Sequence, residues 1–167
     1  MKWFTLFLGF LMVGSPLTGQ PHRELSPDEV LKLVPDKIKG FRSDTDFKSK
    51  RMTVGNITYS LCEKRFQAAG EKEIKILLFD FKNAPMMYTQ AMRKWNHDDL
   101  VDSDSVVLRT LQMDNCSGWE SYHRQSNTSR IFLGICDRFF LTMTGEKVSL
   151  DKLKEVVMTF PLDQFPR

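Results

Sequence analysis

The sequence has few reactive side chains: of 167 residues, three are cysteine and three histidine. His22, His97 and His123 lie far apart, and no His-x-x-x-His or Cys-x-x-Cys spacing occurs. The common zinc motifs are thereby excluded. Gly-x-Ser-x-Gly and Gly-x-x-x-x-Gly-Lys are also missing, which excludes the strained serine elbow and the phosphate-cradling loop. No apolar run reaches the ~20 residues that a bilayer span needs. Repeats, low-complexity tracts and an internal linker are absent, so nothing divides the chain. Charge of one sign is lacking too. The formal charge is only +3, with both signs mixed along the chain. That pattern is a solvated surface and excludes a nucleic-acid footprint.

What is present begins with Lys2, an apolar run from Phe4 to Val13, and the small-residue exit Gly14-Ser15-Pro16-Leu17-Thr18-Gly19. These are the three parts of a secretory signal peptide over 1–19, cleaved after Gly19, or after Ser15 in the alternative. No cysteine follows the run to take a lipid anchor. The expected product is one domain over 20–167, secreted or periplasmic. A chain of that size builds its own core.

Ser26-Pro27-Asp28-Glu29 reads as a capping box that opens a short helix before Pro35. Strands are expected at 51–54 and 57–66 around the Gly55-Asn56 turn, and at 73–81. Ile57, Tyr59 and Leu61 form the apolar face of the second of these. Met87, Tyr88, Ala91, Met92 and Trp95 recur at helical spacing after Pro85. The polar stretches 42–49 and 96–105 read as loops. Strands follow at 106–113, 119–124, 130–135 and 138–144, and a helix capped by Ser149 closes the chain. The fold expected is α+β: an antiparallel sheet of about six to seven strands with helices packed on it, an α/β/α sandwich.

This layout resembles the photosystem PsbP-like group of small α/β/α domains. Leu33-Val34-Pro35, Ile38-Lys39-Gly40-Phe41, the strand ending at Asp80, the Met-rich helix, Gly118-Trp119-Glu120 and Arg138-Phe139-Phe140-Leu141 carry the resemblance. It implies a binding or assembly module and supplies no site residues.

Candidate chemistry is sparse. With three cysteines in an oxidising compartment, one pair and one free thiol are expected. The pair expected is Cys116–Cys136, flanking a hairpin, with Cys62 free, against a reading of all three as buried small apolar residues. A hairpin tip at 125–129 sets Cys136 opposite Gly118, so bonding needs a register shift or a bulge. The loop closed is worth ~3 kcal/mol in the chain-entropy model. Met86, Met87, Met92 and His97 form a thioether and imidazole set suited to Cu(I), against a core-packing role for Met87 and Met92. A Cys–His nucleophile and a carboxylate pair drawn from Asp80, Glu120 and Asp137 are weaker enzyme candidates. His97-Asp98-Asp99 with Asp102 and Asp104 lacks the glycine and spacing of a calcium loop. Trp95 and Trp119 are a candidate ligand platform, more simply core. Asn56, Asn115 and Asn127 stand in glycosylation sequons.

The functional expectation is a non-catalytic binding or assembly domain for a protein or envelope partner, monomeric or weakly dimeric, with no cofactor. The alternatives are a small-ligand or copper carrier and, after that, a hydrolase.

Overall fold

The computed structural model describes residues 23–45, 47–94, 101–113 and 116–167. The signal peptide expected over 1–19, with both cleavage sites, lies outside them, as do Trp95, His97 and Asn115.

The elements run α1 (Pro27–Lys32), β1 (Arg42–Ser43), β2 (Lys48–Val54), β3 (Ile57–Ala68), β4 (Lys72–Asp80), α2 (Pro85–Lys94) and β5 (Val101–Asp102). Then come β6 (Val106–Met113), β7 (Cys116–His123), β8 (Thr128–Ile135), β9 (Phe139–Glu146), α3 (Leu150–Val157) and a 3-10 turn at Leu162–Gln164. The strands form one antiparallel sheet in the order β1-β3-β4-β9-β8-β7-β6-β5, with β2 also on β3. The α+β class and the antiparallel sheet are as expected. The described residues form nine strands instead of the six to seven expected. The added ones, Arg42–Ser43 and Val101–Asp102, are two-residue edge strands in segments that read as loops. Their pairing partners fix them; their own composition does not.

Side chains alternate across the sheet. Ile74, Ile76 and Leu78 of β4 enter one cluster, with Val30 of α1 and Leu153, Val156 and Val157 of α3. Phe79 and Phe81 enter another, with Trp119, Phe132, Phe140 and the α2 residues Met87, Tyr88, Ala91 and Met92. Trp119 is thus part of the core.

Ile57 and Tyr59 of the apolar face expected on β3 pack on the second cluster, but the opposite face is the more deeply buried one. Ser60, Cys62, Lys64 and Phe66 are the fully buried set, while Ile57, Tyr59 and Leu61 are half-buried. A polar face is tolerable there because the segment around α1 supplies partners. Ser60 Oγ donates to the Leu25 carbonyl at 2.9 Å. Lys64, 1% exposed, donates to the Val34 carbonyl at 2.8 Å and to Asp36 at 2.7 Å. Buried polar groups persist only when so satisfied.

The capping box at Ser26 and Glu29 is present. Arg23 also pairs with Glu29. That contact, followed by the Ser26 amide, holds the Glu29 carboxyl down to about 2. A carboxyl lowered on folding contributes stability above its unfolded value, ~4.3, and loses it as pH falls through the folded one. A carboxyl NMR titration should therefore show Glu29 protonating near pH 2. Arg23→Ala should move that midpoint upward. An unmoved midpoint would show that Arg23 is not the cause.

Candidate functional site

A cavity of about 790 Å³ forms a cleft where the β3–β4 turn, the β7–β8 turn and the β9–α3 connection meet. Its apolar surface comes from Phe41, Ala68, Ala69, Val148 and Leu150. Its cations are Lys72, Lys147 and Lys152, and no aspartate or glutamate lines it. Sites for small organic ligands typically measure ~300–1,000 Å³, mostly apolar with a few placed polar groups.

The rim is braced and locally strained. Glu71, Asn127 and Lys147 hold φ of 58°, 49° and 54° in the left-handed region, and Gly40 stands at 86°. Left-handed conformations disfavour most side chains and often mark functional loops. The Lys147 amide donates to the Asn127 carbonyl at 2.8 Å, which joins two of the turns. Tyr122 donates to the Asn127 side chain at 3.1 Å, and Ser129 Oγ to the Val148 carbonyl at 2.6 Å. Lys147 is ion-paired with Glu71. Lys152 pairs with Glu155 at 2.8 Å. Lys72 makes no ion pair among the described residues. The α3 N-terminus opens here as well, and its partial positive charge adds to the lysines.

Ser-x-x-Lys, counted among the motifs the sequence lacks, is in fact present in the cleft at Ser149 and Lys152. Their geometry is not that of a nucleophile and its base. Ser149 Oγ accepts from the Lys152 amide at 3.2 Å as the α3 cap. The Lys152 ammonium turns to Glu155, whose carboxyl it lowers. Among the described residues no base is aimed at the Ser149 hydroxyl, which an activated nucleophile needs.

The residues singled out from sequence are distributed differently. His123 ends β7 near the cleft, whereas Cys116 begins that strand, ~24 Å away by strand rise. Cys62 on β3 is four strand spacings from β7, ~19 Å. Neither forms a Cys–His pair with His123. Asp80 is bound to Arg138, and Glu120 lies under α3 with Lys154 Nζ at 2.9 Å. Both carboxylates serve the fold. Met86 is 67% exposed, while Met87 and Met92 pack in the second cluster; His97 lies outside the described residues. The copper set is thus not assembled in the described part. No group of three or more His, Cys, Asp or Glu suited to a metal occurs among the described residues. Asp102 pairs with Arg124 at 3.0 Å, which ties the acidic segment to the β7–β8 turn.

The hairpin register corrects the expected one. The turn is Arg124–Asn127, tighter and earlier than 125–129, and His123 pairs with Thr128. Gly118 therefore faces Leu133 instead of Cys136, and Cys116 faces Ile135. No disulfide joins the three cysteines. Burial pushes the Cys62 thiol up to about 11.

No family model matches the chain, and no curated protein matches it. A crystal structure described as a GTP binding regulator from Thermotoga maritima is similar over 84% of this chain and 91% of its own, at 10% identity and a TM-score of 0.46. At that level nothing about the neighbour is carried over.

Proposed function

We propose that the chain is a non-catalytic binding domain that works outside the cytoplasm and holds an amphipathic acid in the cleft. The observation that carries this reading is the cleft itself. Apolar Phe41, Ala68, Val148 and Leu150 suit a hydrocarbon body, and Lys72, Lys147 and Lys152 suit its anionic head. Of the sequence-based alternatives this is the small-ligand carrier, without copper. A protein or envelope partner is less favoured, because the cleft is concave and of the size of a small-ligand site. The start of the sequence supports the compartment. No described helix is long and apolar enough to cross a membrane. In this reading the sheet is the middle layer of an α/β/α sandwich, with α2 on one side and α1 and α3 on the other, as the photosystem PsbP-like resemblance implies.

The test is calorimetric titration of the purified chain with dodecanoate, dodecanol and a dodecylammonium salt. The acid should bind at least ~10-fold more tightly than the alcohol, a difference of ~1.4 kcal/mol, and the cation should not bind. The paired substitution Lys72→Ala and Lys152→Ala should abolish the preference for the acid while leaving the fold intact. Equal binding of acid and cation, or none of either, would overturn the reading.

A further inference from the structure

At the end of β7 and β8 away from the cleft, Cys116 and Cys136 line one cavity of about 200 Å³ with Tyr88, Gln112, Gly134 and Asp137. Cys116 is paired across the ladder with Ile135, the last residue of β8, and Cys136 follows it directly. In a continuing strand residues 135 and 136 would point to opposite faces. Here they do not. Cys136 and Asp137 take φ of 53° and 50°, and the turn closes with the Arg138 amide on the Ile135 carbonyl at 3.2 Å. Two left-handed central residues make a tight turn of the kind that favours Asn-Gly. The conformation brings Cys136 against the same cluster that contains Cys116 and Ile135. Both thiols thus lie on one side of the sheet.

Cys62 is excluded as a partner. It is 0% exposed, and β3 is three strand spacings from β8, ~14 Å. A disulfide needs Cα atoms within ~7 Å. Cys136 is the more accessible of the pair, and its thiol donates to the Phe165 carbonyl at 3.8 Å.

We propose that Cys116 and Cys136 form a reversible disulfide by exchange with a small-molecule disulfide such as oxidised glutathione. The Cys136 thiol loses its proton and its sulfur attacks one glutathione sulfur. The first glutathione leaves as thiolate and is protonated. The Cys116 thiolate then attacks Cys136 Sγ, and the second glutathione leaves in the same way. Two protein thiols are oxidised to one disulfide, and one glutathione disulfide is reduced to two thiols. The new bond ties the start of β7 to the β8–β9 turn. It stands independently of what the cleft binds.

The test uses the full chain, fully reduced and then incubated with excess oxidised glutathione at mildly alkaline pH. Acid quench, whole-protein mass and a non-reducing peptide map follow. The expected product lacks two hydrogens, carries a 116–136 cross-link and leaves Cys62 alkylated only after denaturation. Cys62→Ser should give the same cross-link. Cys116→Ser should instead accumulate a lasting glutathione adduct on Cys136. A lasting adduct on the unsubstituted protein, an unchanged mass, or a bridge that includes Cys62 would each overturn the proposal. If Cys116→Ser does not fold, the maps of the unsubstituted chain and of Cys62→Ser still decide.

Discussion

Replacing Asp80 with asparagine should lower the unfolding free energy by ~3–5 kcal/mol, the cost of leaving one partner of a buried ion pair uncompensated. Asp80 and Arg138 are both buried, and the guanidinium grips the carboxylate with two hydrogen bonds, of 2.7 and 2.6 Å. The carboxylate also accepts from the Leu25 amide at 3.1 Å and the Lys82 amide at 3.0 Å. The guanidinium in turn donates to the Arg23 carbonyl at 3.0 Å and lies over the Phe139 ring, 4.8 Å from its centre. Its third nitrogen, Nη1, is buried with no hydrogen-bond partner among the described residues. The arginine therefore depends on Asp80 for its neutralisation. Asparagine keeps the shape and removes the charge, so the loss is electrostatic and not a cavity effect. The paired change Asp80→Leu with Arg138→Met should recover much of the loss, because no charge then remains buried. Urea unfolding at fixed pH reads both variants. A loss below ~1 kcal/mol for Asp80→Asn would show that water reaches the arginine and that the pair behaves as a surface one. The same substitution should expose 23–26 to proteolysis, since Leu25 and Arg23 are tied to the sheet through this pair.

Local features were legible in the sequence. The Ser26 capping box, the Ser149 cap and the strand expected at 73–81 depend on neighbours within a few residues, and the structure keeps all three, the strand as Lys72–Asp80. What depends on partners distant along the chain was not legible. Lys64 and Ser60 are buried because Val34, Asp36 and Leu25 come to meet them, and nothing near residue 60 announces that. The two-residue strands exist only through β3 and β6. The hairpin register turned on the left-handed Asn127, which shortens the turn and moved Cys136 away from Gly118. The cleft has no motif at all. Lys72 begins β4, Lys147 follows β9 and Lys152 stands in α3, and the closing of β4 against β9 brings them to one rim. Ser149-x-x-Lys152 was visible in the sequence, yet its spacing alone would have suggested catalysis. The hydrogen bond that makes Ser149 a helix cap decides otherwise.

Gly118→Ala should cost more than ~3 kcal/mol or abolish folding, beyond the ~1–3 kcal/mol of ordinary core overpacking. A Cβ at Gly118 would stand 1.8 Å from the Phe132 carbonyl oxygen, 2.8 Å from its carbon and 3.0 Å from the Leu133 Cα. These atoms are backbone. β7 is paired with β6 on one edge and β8 on the other, so neither strand moves without breaking a ladder. Gly134→Ala is the informative contrast. Its Cβ would stand at similarly short range, 2.5 Å from Tyr88 Oη and 2.7 Å from the Met92 thioether. Those are the ends of side chains on α2, and thioethers re-pack readily. Gly134→Ala should cost ~1–2 kcal/mol. It should cost less still in a Met92→Ala background, a coupling that a double-mutant cycle measures. Soluble yield and urea unfolding of the two single variants give the comparison. If Gly118→Ala loses no more than Gly134→Ala, the sheet yields there as easily as the helix does. The close approach of β7 to β8 would then not be what requires glycine at 118.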